Sequence, residues 1–330
     1  MFFLIFLAGM IGCEEEKTPE TLSIDYASIF YTEQNPIAIT IDKVSGNVFV
    51  ANMRKSVKIQ KFDKDGILIK TVVDFTSFPN GNYHRYSLID IVCDNNQNLY
   101  ILAKPLVQTN DSWLNLTGFC ILQFDHNDNF QKEFDFSHID LKSCSSVSAI
   151  AYSNKFLFVT NGKIIKKISL SGEEIADIEL PVEEENRITW PDIHTTDMTI
   201  SSQGIIYLTG QAALNLSDST GINDSVGCHI TKFNPQTNQR ITSYSKGWTI
   251  NYGAGLNNPG IALSSKGNVY LTTFYCKSLE VYNVNGELIN QIDLSTLNDD
   301  ETGPIDVAVN DSYIYIVDAF NDLIYLFKEN

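Results

Sequence analysis

Three groups of residues in this 330-residue chain have side chains suited to chemistry. The first is a set of aspartates, Asp90, Asp197 and Asp306, each at the same place in an apolar run: Ile-Asp-Ile-Val, Asp-Met-Thr-Ile and Ile-Asp-Val-Ala. Carboxylates gathered around one axis could hold a cation or a catalytic water. They could equally accept hydrogen bonds from neighbouring backbone amides, the usual fate of a buried polar group. The second group is His84, His138 and His194, which together could hold a zinc whose bound water is a nucleophile. No H-x-x-H spacing supports that arrangement, and lone loop histidines are ordinarily surface residues. The third group is aromatic: Trp113, Trp190 and Trp248, joined by Tyr83, His84, Arg85, Tyr86, His194 and Tyr252. Exposed rings with polar neighbours stack on sugars or anchor a protein partner. Folded over the core, the same rings would bury themselves. In Trp190-Pro191-Asp192, proline fixes the backbone and Asp192 sets a carboxylate beside the ring. Asn80-Gly81-Asn82 and Asn257-Asn258-Pro259 carry oxygen ligands for calcium but read as turns first. There is no G-x-S-x-G elbow, P-loop or dinucleotide fingerprint, so no catalytic residue is assigned.

The elements that must position these residues are short strands. Residues 258–294 contain four runs rich in Val, Ile, Leu and Tyr, parted by tight turns that include Lys266-Gly267-Asn268 and Asn285-Gly286-Glu287. Four antiparallel strands in so short a segment cannot bury both faces alone, so they must stack on copies of themselves. The pattern occurs six times, at a spacing of roughly 46 to 63 residues. The inner strands begin near Ile37, Ile89, Ser148, Asp197, Pro259 and Ile305. The last repeat stops after its third strand, and Leu22 to Tyr31 supplies an apolar run able to complete it. That pairing closes a ring and removes two exposed edges. The expectation is all-β: a six-bladed β-propeller over 21–330 with four-stranded antiparallel blades.

Strand alternation sorts the connections onto two faces. Turns between the first and second strands, and between the third and fourth, are short throughout. The other connections hold the insertions 74–87, 104–117, 181–195, 211–227 and 245–257, which carry all three tryptophans. Long loops on a compact domain usually carry function. One face is therefore plain and the other elaborated. Around the inner ring, Asp90, Asp197 and Asp306 in blades two, four and six alternate with Ala38, Ala149 and Gly260 in blades one, three and five. This places the aspartates at the channel mouth.

Asp90-Ile91 with Asn98-Leu99-Tyr100, and Gly267-Asn268-Val269-Tyr270-Leu271 with Gly286-Glu287, resemble NHL-type repeats of the TolB-like six-bladed propeller superfamily. The resemblance covers about 21–330. It implies the architecture and leaves function open, since such propellers include lyases, lactonases, receptors and scaffolds.

At the N-terminus, Phe2 to Gly12 is an apolar run about half as long as a bilayer span requires. Its ending, Met10-Ile11-Gly12-Cys13, resembles a bacterial lipoprotein lipobox, by which Cys13 would become the lipidated first residue. An ordinary signal peptide is the alternative. Residues 1–13 then form a signal peptide and 14–20 an acidic tether, Glu14-Glu15-Glu16 included. Such a tether resembles the surface-export signal of some Gram-negative lipoproteins, implying an outer-membrane protein displayed at the cell surface. A net charge of −17 argues against nucleic acid. The five remaining cysteines, Cys93, Cys120, Cys144, Cys228 and Cys276, match no zinc pattern. Cys120 and Cys144 are candidates for one disulfide, and buried free thiols are the reading for most.

Together these readings suggest a lipid-anchored envelope module that binds a glycan or a protein partner through its elaborated face. The alternative is a metal-dependent lactonase, esterase or lyase with calcium or zinc over the central channel.

Overall fold

The computed structural model describes residues 22–33, 35–53, 57–75, 85–108, 113–115, 118–136, 147–161, 164–180, 193–215, 224–237, 239–246, 259–274, 277–297, 302–310 and 312–330. At 85, 107–108, 113–115, 193–195, 210–215, 224–229 and 239–246 it describes the backbone alone. Six antiparallel sheets make up the described structure.

Strand β1 (Ile24–Tyr31) belongs to the last blade. Blade one is β2 (Pro36–Ile41), β3 (Val48–Asn52), β4 (Lys58–Phe62) and β5 (Leu68–Asp74). Blade two is β6 (Arg85–Cys93), β7 (Leu99–Gln108), β8 (Trp113–Asn115), β9 (Phe119–Phe124) and β10 (Phe130–Phe136). Blade three is β11 (Ala149–Ser153), β12 (Phe156–Thr160), β13 (Ile164–Ser169) and β14 (Glu174–Glu179). Blade four is β15 (Ile193–Ile200), β16 (Ile206–Asn215), β17 (Asp224–Asn234) and β18 (Gln239–Lys246). Blade five is β19 (Ile261–Leu263), β20 (Val269–Thr273), β21 (Ser278–Tyr282) and β22 (Leu288–Asp293). Blade six is β23 (Pro304–Val309), β24 (Tyr313–Asp318) and β25 (Leu323–Glu329), completed by β1.

The ring closes as the alternation of Leu22 to Tyr31 implies. β1 pairs with β25 from Ile24 opposite Glu329 to Tyr31 opposite Leu323. Beyond the pairing, Asn330 N–H donates to Ser23 O and Thr32 N–H to Asp322 O. Closure gives the third strand of blade six a partner, so its ladder of amides is satisfied on both sides.

Each hydrophobic cluster joins two neighbouring blades. Phe49 and Ile59 of blade one pack with Leu99 and Leu122 of blade two. Leu157 and Ile168 of blade three pack with Tyr100 and Phe119 of blade two. The closing interface sets Ile39 and Phe62 of blade one against Tyr315, Ile324 and Phe30 of blade six. The second strands are accordingly buried on both faces: every residue of β3 and β20 is buried. Such strands read as continuous β-branched and aromatic runs rather than clean alternation. Outer strands such as β14 are mostly exposed.

Four short turns on the plain face share one device. Asp63 Oδ1 accepts the amides of Asp65 at 3.0 Å and Ile67 at 2.8 Å. Asp94, Asp125 and Asn283 repeat it. Gly66 in the first of these turns has φ +85°, and a Cβ there would strike the Phe30 ring of the neighbouring blade. Its lack of a side chain serves both the turn and the closing contact.

Two of the insertions turn out to be strand extensions. In blade two, β7 runs on past the ring and folds back as β8, with Gln108 opposite Trp113. In blade four, β16 and β17 form one long hairpin out to Asn215 opposite Asp224.

Candidate functional site

The inner edge strand of a propeller blade leaves one row of amides facing the channel, and those amides need acceptors. The three aspartates supply them. Asp306 Oδ1 accepts its neighbour Val307 N–H at 2.7 Å, and Oδ2 accepts Ile39 N–H of blade one at 2.7 Å. Asp90 accepts Ile91 N–H at 2.7 Å and Ile150 N–H of blade three at 2.8 Å. Asp197 accepts Met198 N–H at 2.6 Å and Ile261 N–H of blade five at 2.7 Å. Each carboxylate thus clasps its own blade to the next one: six to one, two to three, four to five.

The clasp explains the alternation of residue types. The bonded isoleucines Ile39, Ile150 and Ile261 follow the small residues Ala38, Ala149 and Gly260. Each Asp-bearing inner strand shifts register just before its aspartate, at Leu88/Asp90, Thr195/Asp197 and Pro304/Asp306. A bulge there re-aims the side chain. Gly260 also lies against the next blade. A Cβ on it would meet the Asp306 Cα, and would come within 2.7 Å of Asp306 Oδ1 and 2.9 Å of Val307 N.

A cavity of about 310 Å³ fills the channel from this carboxylate ring to the short-turn face. Inner-strand residues of all six blades line it, with Lys43, Asn95, Asn154 and Ser202 at its outer end. Asp306 is buried, while Asp90 and Asp197 are partly exposed to the channel. Removal from water pushes all three carboxyls up. Asp197 rises to about 7, with the Ile261 and Met198 amides opposing the rise. Asp90 is raised well above the ordinary value by burial and then by the charge of Asp197. Asp306 is raised by burial and then by the charges of Asp197 and Asp90. Burial and mutual repulsion therefore make the ring harder to ionise than three isolated aspartates. It can act as a shared acid, and every oxygen of it already accepts an amide.

The aromatic candidates fare differently. Tyr86 is a correction: only 3% exposed, it packs edge-on against Phe75 with centroids 5.5 Å apart and donates to Glu133 at 3.3 Å. It belongs to the core between blades one and two, because β6 begins earlier than the loop assignment allowed. Arg85 opens β6, Trp113 lies in β8, and His194 lies in β15 opposite Gln211, all described by backbone alone. Tyr83, His84, His138, Trp190, Asp192, Trp248 and Tyr252 lie outside the described residues, as do Cys13 and the calcium-type turns at 80–82 and 257–258. Among the described residues no three His, Cys, Asp or Glu side chains are arranged to hold a metal ion.

The proposed Cys120–Cys144 pair is also corrected. Cys120 is a buried free thiol, 3.6 Å from Ala103 O. Cys93 is a free, partly buried thiol packed between blades one and two. Burial raises both thiols, so neither is a ready nucleophile.

One elaborated-face feature escaped the sequence reading. Phe320, 56% exposed, stands edge-on to Phe274 with centroids 5.1 Å apart. Both rings lie over Gly303, where a Cβ would come within 3.1 Å of each. The loop beneath is fixed by the fully buried Asp318, which accepts the amides of Gly303 and Phe320 and the hydroxyl of Tyr325. The only sequence signal was an Asp three residues before an Asn, Asp318-Ala319-Phe320-Asn321.

No family model and no curated protein matches the chain. Solved structures do. A streptogramin B lyase superposes with a TM-score of 0.53 at 12% identity, over 94% of this chain and 97% of that one. Virginiamycin B lyase from Staphylococcus aureus, in a catalytically inactive form with quinupristin, gives 0.53 at 12% identity, over 93% and 99%. Raptor from Chaetomium thermophilum gives 0.54 at 10% identity, over 93% of this chain and 29% of Raptor. At such identities the likeness is one of fold alone, found in an enzyme and in part of a longer protein.

Proposed function

We propose that this protein is a lipid-anchored binding or scaffold module of the cell envelope, with the elaborated face as its binding surface. The observation carrying this reading is the direction of the chain. β1 starts at Ile24 beside Glu329, on the short-turn face, so a tether from Cys13 joins the ring on that side. The opposite face, with the β7–β8 and β16–β17 extensions and the Phe320–Phe274 pair, is turned away from the anchor. Its ligand is a glycan or a protein partner, held by aromatic side chains that include Trp113, Trp190 and Trp248. The outer membrane, with display at the cell surface, is the proposed location.

The test is replacement of the three tryptophans by alanine, with a glycan array and a cross-linking pull-down read on wild type and variant. Loss of glycan capture with unchanged circular dichroism supports sugar stacking. Unchanged capture in both assays removes the tryptophans from the reading.

A second reading is favoured by the channel cavity alone: a lactonase, esterase or lyase using calcium or zinc. Elemental mass spectrometry of protein purified without added metal tests it. About one tightly held Ca²⁺ or Zn²⁺ per chain supports the enzyme, and a metal-free protein with no lactone or ester turnover refutes it.

A further inference from the structure

We propose that the short-turn face lies directly against the phospholipid surface from which the tether comes, rather than hanging free of it. The proposal rests on the lipid-anchored reading and adds an orientation and a contact surface to it.

Three observations carry it. First, the chain enters β1 on this face: Ile24 is opposite Glu329, which accepts Lys266 Nζ of a blade-five short turn at 3.1 Å, and Leu22 O just before it accepts Asn290 Nδ2 at 2.9 Å. From Cys13 to Leu22 a fully extended chain spans only about 30 Å. The ring therefore cannot turn its short-turn face away from the bilayer without wrapping that length around its rim.

Second, large apolar side chains project from this face where a solvated turn would carry polar ones. Val44 is 65% exposed, Ile67 67% and Val284 51%, all in or beside turn tips. Leu68, Ile175 and Leu288 stand at the starts of the adjoining outer strands and are also exposed. They come from blades one, three and five, so the contacts are spread around the ring. Three such points define a plane, which suits a flat lipid surface better than a compact ligand.

Third, four carboxylates of this face are engaged by the amides of their own turns, while Asp65, Glu173 and Glu287 at short turns of the same face stay exposed. Asp42 Oδ1 accepts Val44 N–H at 2.9 Å, and Asp63, Asp94 and Asp125 each accept two amides of their own turns. Lysines reach out as well, Lys64 and Lys266 among them: their side chains are 54% and 60% exposed, paired with Asp65, itself 55% exposed, and with the buried Glu329. Ammonium groups on flexible stems around apolar tips suit a headgroup layer above acyl chains.

The test uses the full chain, exported so that Cys13 can be acylated, in vesicles of phosphatidylethanolamine and phosphatidylglycerol. Mass spectrometry of the N-terminal peptide reads acylation. Hydrogen exchange reads contact, compared with a Cys13→Ser chain in vesicle-free solution. The expected result is an acylated Cys13 with exchange slowed at least about threefold in 42–47, 63–67 and 283–287, and unchanged at 319–322 on the opposite face. A Val44→Ser, Ile67→Ser, Val284→Ser triple variant, equally acylated, should lose that protection. An acylated chain whose turns exchange as in solution, or whose 319–322 loop is protected instead, overturns the contact and leaves the anchor standing. An unacylated Cys13 removes the anchor reading. The contact then stands only if vesicles still slow the same three turns, and falls if they do not.

Discussion

Replacing Asp197 by asparagine separates the two roles of the carboxylate ring, clasp and acid. Asparagine keeps one acceptor oxygen and puts an NH₂ where the other oxygen met an amide. Met198 N–H or Ile261 N–H, at 2.6 and 2.7 Å in the native clasp, loses its partner. A buried unsatisfied donor costs about 1–3 kcal/mol at any pH. The acid role depends on pH, with a definite sign. The folded-state value of Asp197 is raised to about 7 from an ordinary 3.8. A raised carboxyl contributes stability that is fully present below its unfolded value and lost as pH rises through the folded one. Between pH 5 and pH 8 that one group takes about 2–3 kcal/mol from the wild type, by linkage between those two values. The amide of the variant takes nothing, and it lowers the field on Asp90 and Asp306, whose carboxyls it no longer opposes. At roughly 2.1 cal/mol/K per residue, 1 kcal/mol moves the Tm of a chain this long by about 1.5 °C. Scanning calorimetry should find Asp197→Asn less stable than wild type at pH 5, with the gap closing by about 4 °C at pH 8. A gap that stays constant would mean that the carboxyl is not raised. One that widens with pH would mean that the ionised carboxylate is the preferred clasp, and would refute the reasoning.

Three further outcomes follow from the ring. Gly260→Ala drives a methyl into the Asp306 backbone. It should cost about 1–3 kcal/mol by overpacking, read as a lower urea midpoint with unchanged m. A chain starting at Leu22 keeps the whole of β1 and should unfold cooperatively, whereas one starting at Thr32 loses the β1–β25 ladder and the Phe30 contact and should show a broad, early transition by circular dichroism. Asp318→Ala leaves the amides of Gly303 and Phe320 and the Tyr325 hydroxyl without their acceptor. It should cost about 3 kcal/mol or more and free the Phe274–Phe320 pair, seen as faster hydrogen exchange at 319–322.

Local pattern sufficed wherever the physics is local. Strand period, turn chemistry and repeat spacing marked six blades and the strand that closes them, because each blade must bury apolar faces at a fixed interval along the chain. Asp90, Asp197 and Asp306 stood out for the same reason: a charged residue at one register position of an otherwise apolar strand needs an explanation. Which amides they take is a property of the ring. Ile150 is 60 residues from Asp90, and Ile39 is 267 from Asp306. No period connects them; only the curvature that brings the start of one inner strand beside the next does. Tyr86 was misread for a related cause, since its hydrophobic partner Phe75, just past β5, and its hydrogen-bond partner Glu133, in β10, lie elsewhere in the chain. Phe320 was missed because exposure over Gly303 depends on where blades five and six meet. Blades, blade number and closing strand were thus legible in the order of residues along the chain. The pairing of blades by carboxylate clasps and the burial that pushes those carboxyls up came with the folded ring, because burial and charge proximity around a closed circle arise between distant residues and not within any one repeat.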